Sequence, residues 1–484
     1  MQRDFAGLLE DCRKGGVEVR SDSRTVGKGD IFVAVPGVSE DGARFIPAAV
    51  EAGAAVVVCR PGGAEAAAAQ AAGCRIVFHN EPREALWRLA EARWHTGESG
   101  IRVLGVTGTN GKTTSAYLLE HLFRAAGQKV GVLGTVNYRW PGHCEAAPLT
   151  TPDPLRVHAM LARMRSAGVD VAVLEVSSHA IDQQRVCGVP FAGVAFTNLT
   201  QDHLDFHKDM ESYFKTKARL FLELPRTEKG MAVNADDAWG RRLLELCPRA
   251  LSFGLQQGPP GQRHLWGELL TAGTDGCHLR MHLEGRQWEL RSPLVGAFNA
   301  SNLLTVQALA LEVGLEPGAF AALESFGGVP GRLERVQNPQ GLNVFVDYAH
   351  TPDALVNVLK ALRNAGFKRI VTVFGCGGNR DRTKRPLMGE AVARHSDVAV
   401  LTSDNPRFEE PGAIIQDVLP GLSAAREVLV EADRRSATLK ALEMLDRDDA
   451  LLIAGKGHED YQIIQGVKHH YSDQEVVREI LQCA

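Results

Sequence analysis

The seven residues Gly108–Thr114 read GTNGKTT, with the apolar run IRVLGVT before them and TTSAYLLEHLFRAAG running on from the two threonines. The second run carries apolar residues at helical spacing and stops at a glycine. A buried strand, a glycine-containing loop and a helix in that order confine the chain to an α/β architecture built on a parallel sheet. Glycines let backbone N–H groups turn inward at a helix N-terminus, where partial positive charge collects, so Gly108, Thr109, Asn110 and Gly111 form a candidate phosphate cradle. Lys112 would neutralise the outer phosphates, and Thr113, with Thr114 beside it, would offer a hydroxyl to a magnesium ion. The spelling departs from the commonest phosphate loop, which has a glycine where this chain has Val106.

The alternation of strand and helix continues along the chain. DIFVAVPG and the Ala-rich stretches AAVEAGAAVVVCR and AEAAAAQAAG predict a small α/β unit, and HTGESG reads as a linker. VDVAVLEV and FAGVAFTN predict further strands of a parallel sheet covered on both faces. Between about residues 253 and 295 the pattern changes, and CHLRMHLEGRQWELRS predicts an antiparallel addition around a Glu-Gly-Arg turn. After GGVPGRLERV, strands are expected in LNVFVDY, RIVTVFG, DVAVLTS and ALLIAG. A chain of 484 residues exceeds one core, so three α/β domains are expected, over 1–98, 99–330 and 331–484. The central one is a phosphate-loop domain with a parallel sheet, and the last is Rossmann-like.

Composition narrows the function classes. A net charge of -4 gives no reason to expect nucleic acid or an acidic membrane as partner. No run of about 18 apolar residues is present, and the first residues, MQRDFAGLLEDCRKGG, carry charges inside the apolar stretch, unlike a secretory signal. Nine cysteines without a C-x-x-C pair fit reduced thiols, so a cytoplasmic protein, taken as a monomer, is expected.

Four polar clusters of the last section, Asp347–His350, Gly375–Arg380, Asp404–Arg407 and Gly455–Glu459, each follow an apolar strand candidate. In a parallel sheet those strand ends share one edge, where ligands bind, and that edge should face the phosphate loop. Glu175 stands next to last in VDVAVLEV, at the carboxyl end of that strand candidate, and a carboxylate there suits magnesium. Other residues say less on their own. His203 and His207, four apart, read first as two ordinary histidines on a helix face, and Lys217 as a solvated helix lysine. Serines and threonines near strand ends read as caps, and loop Asn and Asp as turn residues.

The loop GTNGKTT resembles the shortened phosphate loop of the Mur ligases and folylpolyglutamate synthetases, which are ATP-dependent amide-forming enzymes. DSRTVGKGDIFVAVPG, TTPDP, EVSSHAI, FTNLTQDHLDFH, YFKTKARLF, GAFNASNLL, GRLERV, DYAHTPDAL, GCGGNRDRTKRPLMG, DNPR and AGKGHEDYQ are similar to the same family in the same order, across nearly the whole chain. The resemblance implies that ATP phosphorylates a substrate carboxylate and an amine then attacks the acyl phosphate, with ATP and Mg2+ as cofactors. It implies catalytic roles for Lys112, Glu175, His203 and Lys217. Thr113, Glu175, His203 and Lys217, the last as a carbamate and in preference to Lys215, would lie on the metal side. Asn302 is expected near the adenine, Arg332 near the phosphates and Asp347 near the ribose.

The same resemblance implies the two substrates, a UDP-N-acetylmuramoyl-dipeptide and an amino acid, in peptidoglycan precursor synthesis. Ser21 and Ser23 match uridine diphosphate contacts, while no contact is carried over to the stretch VSE after Gly37. Thr150, Thr151, Ser177, Gln183 and Arg185 match muramoyl-dipeptide contacts, and Arg185 can grip an anion with two hydrogen bonds. For the amino acid, Asp404, Asn405, Pro406 and Arg407 with Gly455 point to meso-diaminopimelate. Arg407, helped by Arg380, would hold the far carboxylate and Glu459 the far ammonium. Pro406 would bias Asn405 toward an extended backbone and so set the direction of Arg407. The competing readings are a lysine-adding member of the family and, from another class, a nucleotide-dependent switch.

Overall fold

The apolar runs of the sequence become the parallel ladders of three sheets. A computed structural model describes residues 2–37, 40–224, 230–259, 261–273 and 276–482, so Val38 and Ser39 of the stretch after Gly37 lie outside the described residues. The first sheet holds β1 (Val19–Arg20), β2 (Ile31–Val33), β3 (Val56–Cys59) and β4 (Arg75–Phe78), all parallel and in that order. Phe5, Leu8, Leu86 and Leu89 pack on one face from helices Gln2–Lys14 and Pro82–Trp94. The Ala-rich helices cover the other face through Ile46, Ala49, Ala66 and Ala69.

The second sheet is eleven-stranded. Its strands are β5 (Arg102–Thr107), β6 (Val130–Leu133), β7 (Asn137–Trp140), β8 (His143–Ala146), β9 (Val171–Glu175), β10 (Phe191–Phe196), β11 (Met231–Asn234), β12 (Leu251–Gly254), β13 (His264–Gly273), β14 (Gly276–Leu283) and β15 (Arg286–Ser292). The order is β15-β14-β13-β12-β11-β10-β5-β9-β6-β7-β8, parallel from β13 to β6 and antiparallel at both ends. β5 therefore lies in the middle, between β10 and β9, and its carboxyl end carries the glycine loop. Separate apolar clusters cover the two faces, as expected for parallel strands. The antiparallel addition is β13 to β15, and Glu284 and Gly285 turn β14 into β15 with φ of +49° and +77°. The β7–β8 hairpin on the opposite edge was not read from the sequence, because four-residue strands give too little alternation.

The third sheet holds β16 (Glu334–Arg335), β17 (Asn343–Asp347), β18 (Ile370–Phe374), β19 (Val398–Leu401), β20 (Val428–Val430) and β21 (Ala450–Ala454), in the order β16-β17-β21-β18-β19-β20. All pairings are parallel except β16 with β17. The ends of β17, β21, β18 and β19 thus fall on one edge and carry the four polar clusters. A separate hairpin of β22 (Tyr461–Ile464) and β23 (Val467–His470) follows. Behind this edge Arg434 and Asp473, both with no exposed side-chain surface, form a two-bond ion pair at 2.9 and 2.8 Å. Arg434 also donates to the carbonyls of Ala454 and Ser403, so a satisfied buried charge fastens the ends of β21 and β19 together. No described helix is long and apolar enough to cross a membrane.

Candidate active site

Two glycines of the loop are fixed by close approach. A Cβ on Gly108 would lie 1.9 Å from Thr197 Oγ1, and one on Gly111 would lie 2.3 Å from Asn302 Oδ1. Their φ values of +148° and +89° also favour glycine. The residues after β10 stitch the loop down. Asn198 O and Oδ1 accept from the amides of Thr109 and Asn110, both at 2.9 Å, and Thr197 Oγ1 donates to Asn110 O at 2.6 Å. Lys112 opens the helix Lys112–Ala125 and folds over the loop, donating to the carbonyls of Gly108 and Thr109, both at 2.8 Å. Desolvation holds its ammonium below the ordinary lysine range, partly opposed by Glu175.

Glu175 emerges at the end of β9, 1% exposed. Its Oε2 accepts from Thr113 Oγ1 at 2.9 Å and from Thr135 Oγ1 at 2.8 Å, and its Oε1 from the Thr135 amide at 2.9 Å. Thr135 also meets Thr150, their hydroxyls 3.2 Å apart. Thr135 was missed in the sequence; its signal was its place just past the apolar run KVGVLG, the same strand-end position that marks Glu175. Magnesium takes oxygen ligands, typically one or two carboxylates beside substrate phosphates and water. The Glu175 carboxylate and Thr113 hydroxyl, side by side at the phosphate loop, fit that ion. No group of three or more His, Cys, Asp or Glu that could hold a metal occurs among the described residues.

Lys217 departs from the solvated lysine that its bare sequence suggests. It lies on the inner face of the helix Met210–Leu222 and is 1% exposed. Its Nζ donates to Gly108 O at 2.9 Å and Thr107 Oγ1 at 3.4 Å, and stands 4.8 Å from the Tyr213 ring centroid. Burial, then the nearby Lys112 charge, pull its pKa well below the ordinary value. Lys215 is the solvated one, pairing with Glu211 on the helix surface. His203 and His207 also part ways. His207 is buried, its Nε2 2.9 Å from Ser178 Oγ and its ring stacked on Tyr213. His203 lines the cavity, its Nε2 3.3 Å from Asp202 Oδ2, and burial brings its pKa down to about 4 against that carboxylate.

The loop opens into a cavity of about 460 Å³ whose walls come from loops and helices of the second and third units. Asn302, Arg332 and Asp347 all line it. Asn302 donates to Asn299 Oδ1 at 3.0 Å. Arg332 reaches Thr113 Oγ1 at 3.4 Å and lies over the Tyr348 ring, while its buried Nε has no hydrogen-bond partner among the described residues. Asp347 is buried, accepts from the amides of Leu333 and Ala349, and has its pKa raised by desolvation. The third unit touches the loop directly, since Asp353 Oδ2 accepts from Asn110 Nδ2 at 3.2 Å and from Thr200 Oγ1 at 3.1 Å.

Further along the same edge, Asn405 Nδ2 donates to Glu459 Oε2 at 2.9 Å, and a Cβ on Gly455 would lie 2.7 Å from Asp404 Oδ2. Arg407 has a left-handed φ of +55° and donates from Nη1 to Gly378 O at 2.8 Å. Its amide donates to Ile463 O, and its carbonyl accepts from the Gln465 amide. The direction of Arg407 is therefore set by the β22 hairpin gripping both sides of its backbone, in addition to any bias from Pro406. Arg380 is exposed on the loop after β18.

On the other side of Glu175, Thr151 Oγ1 donates to Glu175 O at 2.7 Å, and Ser177 caps the short helix Ser178–Asp182. Arg185 donates to Thr151 O and, through two nitrogens, to Gln183 Oε1. Thr150, Thr151, Ser177, Gln183 and Arg185 thus gather beside the end of β9. Ser21 and Ser23 lie apart from them on the first unit, Ser21 in a groove between that unit and the helix Pro154–Ser166.

Comparison with known proteins gives this geometry a lineage. Residues 18–94 match the Mur ligase family catalytic domain, 106–310 the Mur ligase middle domain and 331–457 the Mur ligase glutamate ligase domain. A protein of Lawsonia intracellularis described as UDP-N-acetylmuramoyl-L-alanyl-D-glutamate--2,6-diaminopimelate ligase is 54% identical over 478 residues, 98% of each chain. One of the same description from Aquifex aeolicus is 43% identical, over 95% of this chain and 92% of that one. A solved structure of a ligase with that name is 31% identical and superposes with a TM-score of 0.67 over 96% of this chain and 94% of its own. The MurF ligase of Thermotoga maritima in complex with ADP shares the fold, with a TM-score of 0.61 at 19% identity over 98% of both chains. The order of three α/β units, the shortened phosphate loop and relatives matched end to end converge on one conclusion: the chain belongs to the Mur ligase family.

Proposed function

We propose that this chain is an ATP-dependent ligase that joins meso-diaminopimelate to UDP-N-acetylmuramoyl-L-alanyl-D-glutamate through an acyl phosphate. The observation that carries the reading is the cavity in which the phosphate loop faces Asp347–Thr351 at the end of β17, the strand whose sheet edge also carries the other three polar clusters. An amide forms from a carboxylate only once its oxygen has become a leaving group, so triphosphate, carboxylate and amine must meet in one place. Here the substrate carboxylate attacks the γ-phosphorus and ADP departs; the amine nitrogen then attacks the acyl carbon and inorganic phosphate departs.

Gly108–Thr114 would cradle the triphosphate, with Lys112 and Arg332 neutralising charge on the transferred group. Asn302 would meet the adenine and Asp347 the ribose. Thr113 and Glu175, with His203 and a carbamylated Lys217 on the same side, would hold magnesium, which offsets negative charge on the phosphates when bound. A buried lysine whose Nζ meets only neutral oxygens supports the carbamate reading, because burial favours the neutral amine, the form that adds to carbon dioxide. Thr150, Thr151, Ser177, Gln183 and Arg185 would hold the muramoyl-dipeptide, and Ser21 and Ser23 its uridine diphosphate. Asp404–Arg407, Arg380, Gly455 and Glu459 would receive the amino acid. We take the three units as 1–98, 99–330 and 331–484, and the protein as a cytoplasmic monomer.

Phosphate release tests the reaction class. It is expected only when ATP, magnesium, the nucleotide-linked dipeptide and the amino acid are all present. Steady release without the amino acid would point instead to a nucleotide switch.

A further inference from the structure

Lys456 sits between Gly455 and Gly457 just past β21, with none of its side chain exposed. In the sequence it lies within the polar cluster Gly455–Glu459, where no role is read for it. A buried ammonium is costly unless its donors meet an anion and further hydrogen-bond acceptors. Lys456 Nζ meets both, donating to Glu459 Oε2 at 3.0 Å and to Asn405 Oδ1 at 3.3 Å.

The geometry at Glu459 is one-sided. Oε2 takes the bonds from Lys456 and from Asn405 Nδ2, whereas among the described residues no donor reaches Oε1. Asn405 is itself pinned, since its Oδ1 also accepts from the Ile463 amide at 2.9 Å. Gln462 Nε2 holds the neighbouring Asp404 carbonyl at 2.6 Å. Lys456, Asn405 and the β22 hairpin therefore fix one oxygen of a carboxylate whose side chain remains 15% exposed.

We propose that Lys456 is a positioning residue for amino-acid selection: by holding Oε2 of Glu459 inside, it presents Oε1 to the ammonium at the far end of the amino acid. This rests on the reading of Glu459 as the reader of that ammonium. Without Lys456 only Asn405 Nδ2 still holds Oε2, so the carboxylate is held less firmly and its fit to a far ammonium weakens. The cavity at the phosphate loop, which neither Lys456 nor Glu459 lines, is untouched.

The test compares meso-diaminopimelate with 2-aminopimelate, which keeps the far carboxylate and lacks the far ammonium. Wild type is expected to prefer diaminopimelate by on the order of 10²-fold or more in kcat/KM. Lys456→Met is expected to lose about 10-fold of that preference, through KM for diaminopimelate, as when a supporting contact behind a ligand-holding group is removed. KM for ATP and for the nucleotide-linked dipeptide should stay within about twofold, as expected for uniform binding elsewhere in the site. Lys456→Gln keeps a donor without the charge, should fall between the two, and serves if the methionine variant does not fold. A wild type indifferent to the two amino acids would overturn the reading of Glu459 itself. A selective wild type with equally selective, merely slower variants would overturn the role of Lys456.

Discussion

Arg407→Ala is expected to abolish the preference for meso-diaminopimelate over lysine, a preference of about 10⁴-fold in kcat/KM for a site built around a buried polar partner. Both amino acids carry a far ammonium, and only diaminopimelate adds a carboxylate beside it. A guanidinium holds a carboxylate through two parallel hydrogen bonds, so with lysine bound Arg407 would be desolvated without its partner. The structure gives this arginine little freedom, because its amide and carbonyl are both paired with the β22 hairpin and its Nη1 with Gly378 O. Little ordering cost therefore remains to be met on binding. The check is kcat/KM of wild type and variant with each amino acid. Unchanged selectivity in the variant would remove Arg407 from the reader.

Lys217→Ala is expected to lower turnover by about 10²–10³-fold, the scale seen when a preorganised charged contact is removed. Lys217 lies within hydrogen-bond reach of Gly108 O at the root of the phosphate loop, so the loss falls on the reacting groups and spares the surface of the fold. A small carboxylic acid such as acetate, added in solution, should restore part of the activity, because it supplies the anion that a carbamate would carry. Lys217→Arg should be as impaired as the alanine variant and should not respond to acetate. An active arginine variant together with failed rescue would show that a cation suffices at this position.

The fold class was legible because buried parallel strands are near-continuous apolar runs, and IRVLGVT, VDVAVLEV, RIVTVFG and ALLIAG are such runs. The hairpins β7–β8 and β22–β23 were not, since each strand has four residues and β23 is exposed throughout. The turn Gln465-Gly466, with φ of +48° and +77°, was the local clue to the second. That hairpin matters, because it and not Pro406 alone orients Arg407. At the site, the loop and the strand-end clusters could be placed from topology, since parallel strands put their carboxyl ends on one edge. Lys217 could not, because YFKTKARLF allows either lysine to face inward and only packing decides. Thr135 and Lys456 make contacts across the chain, to Glu175 and to Asn405, and although each stands just past an apolar run, no local pattern names those partners.

The most direct measurement is the mass of the product formed from UDP-N-acetylmuramoyl-L-alanyl-D-glutamate, ATP and magnesium with a panel of amino acids supplied one at a time. The panel should include meso-diaminopimelate, lysine, ornithine, glutamate and alanine. The expected result is a single efficient product, the dipeptide nucleotide extended by one diaminopimelate residue, with one phosphate released per product. Efficient extension by lysine, or ATP turnover with no extended product from any amino acid, would contradict the assignment.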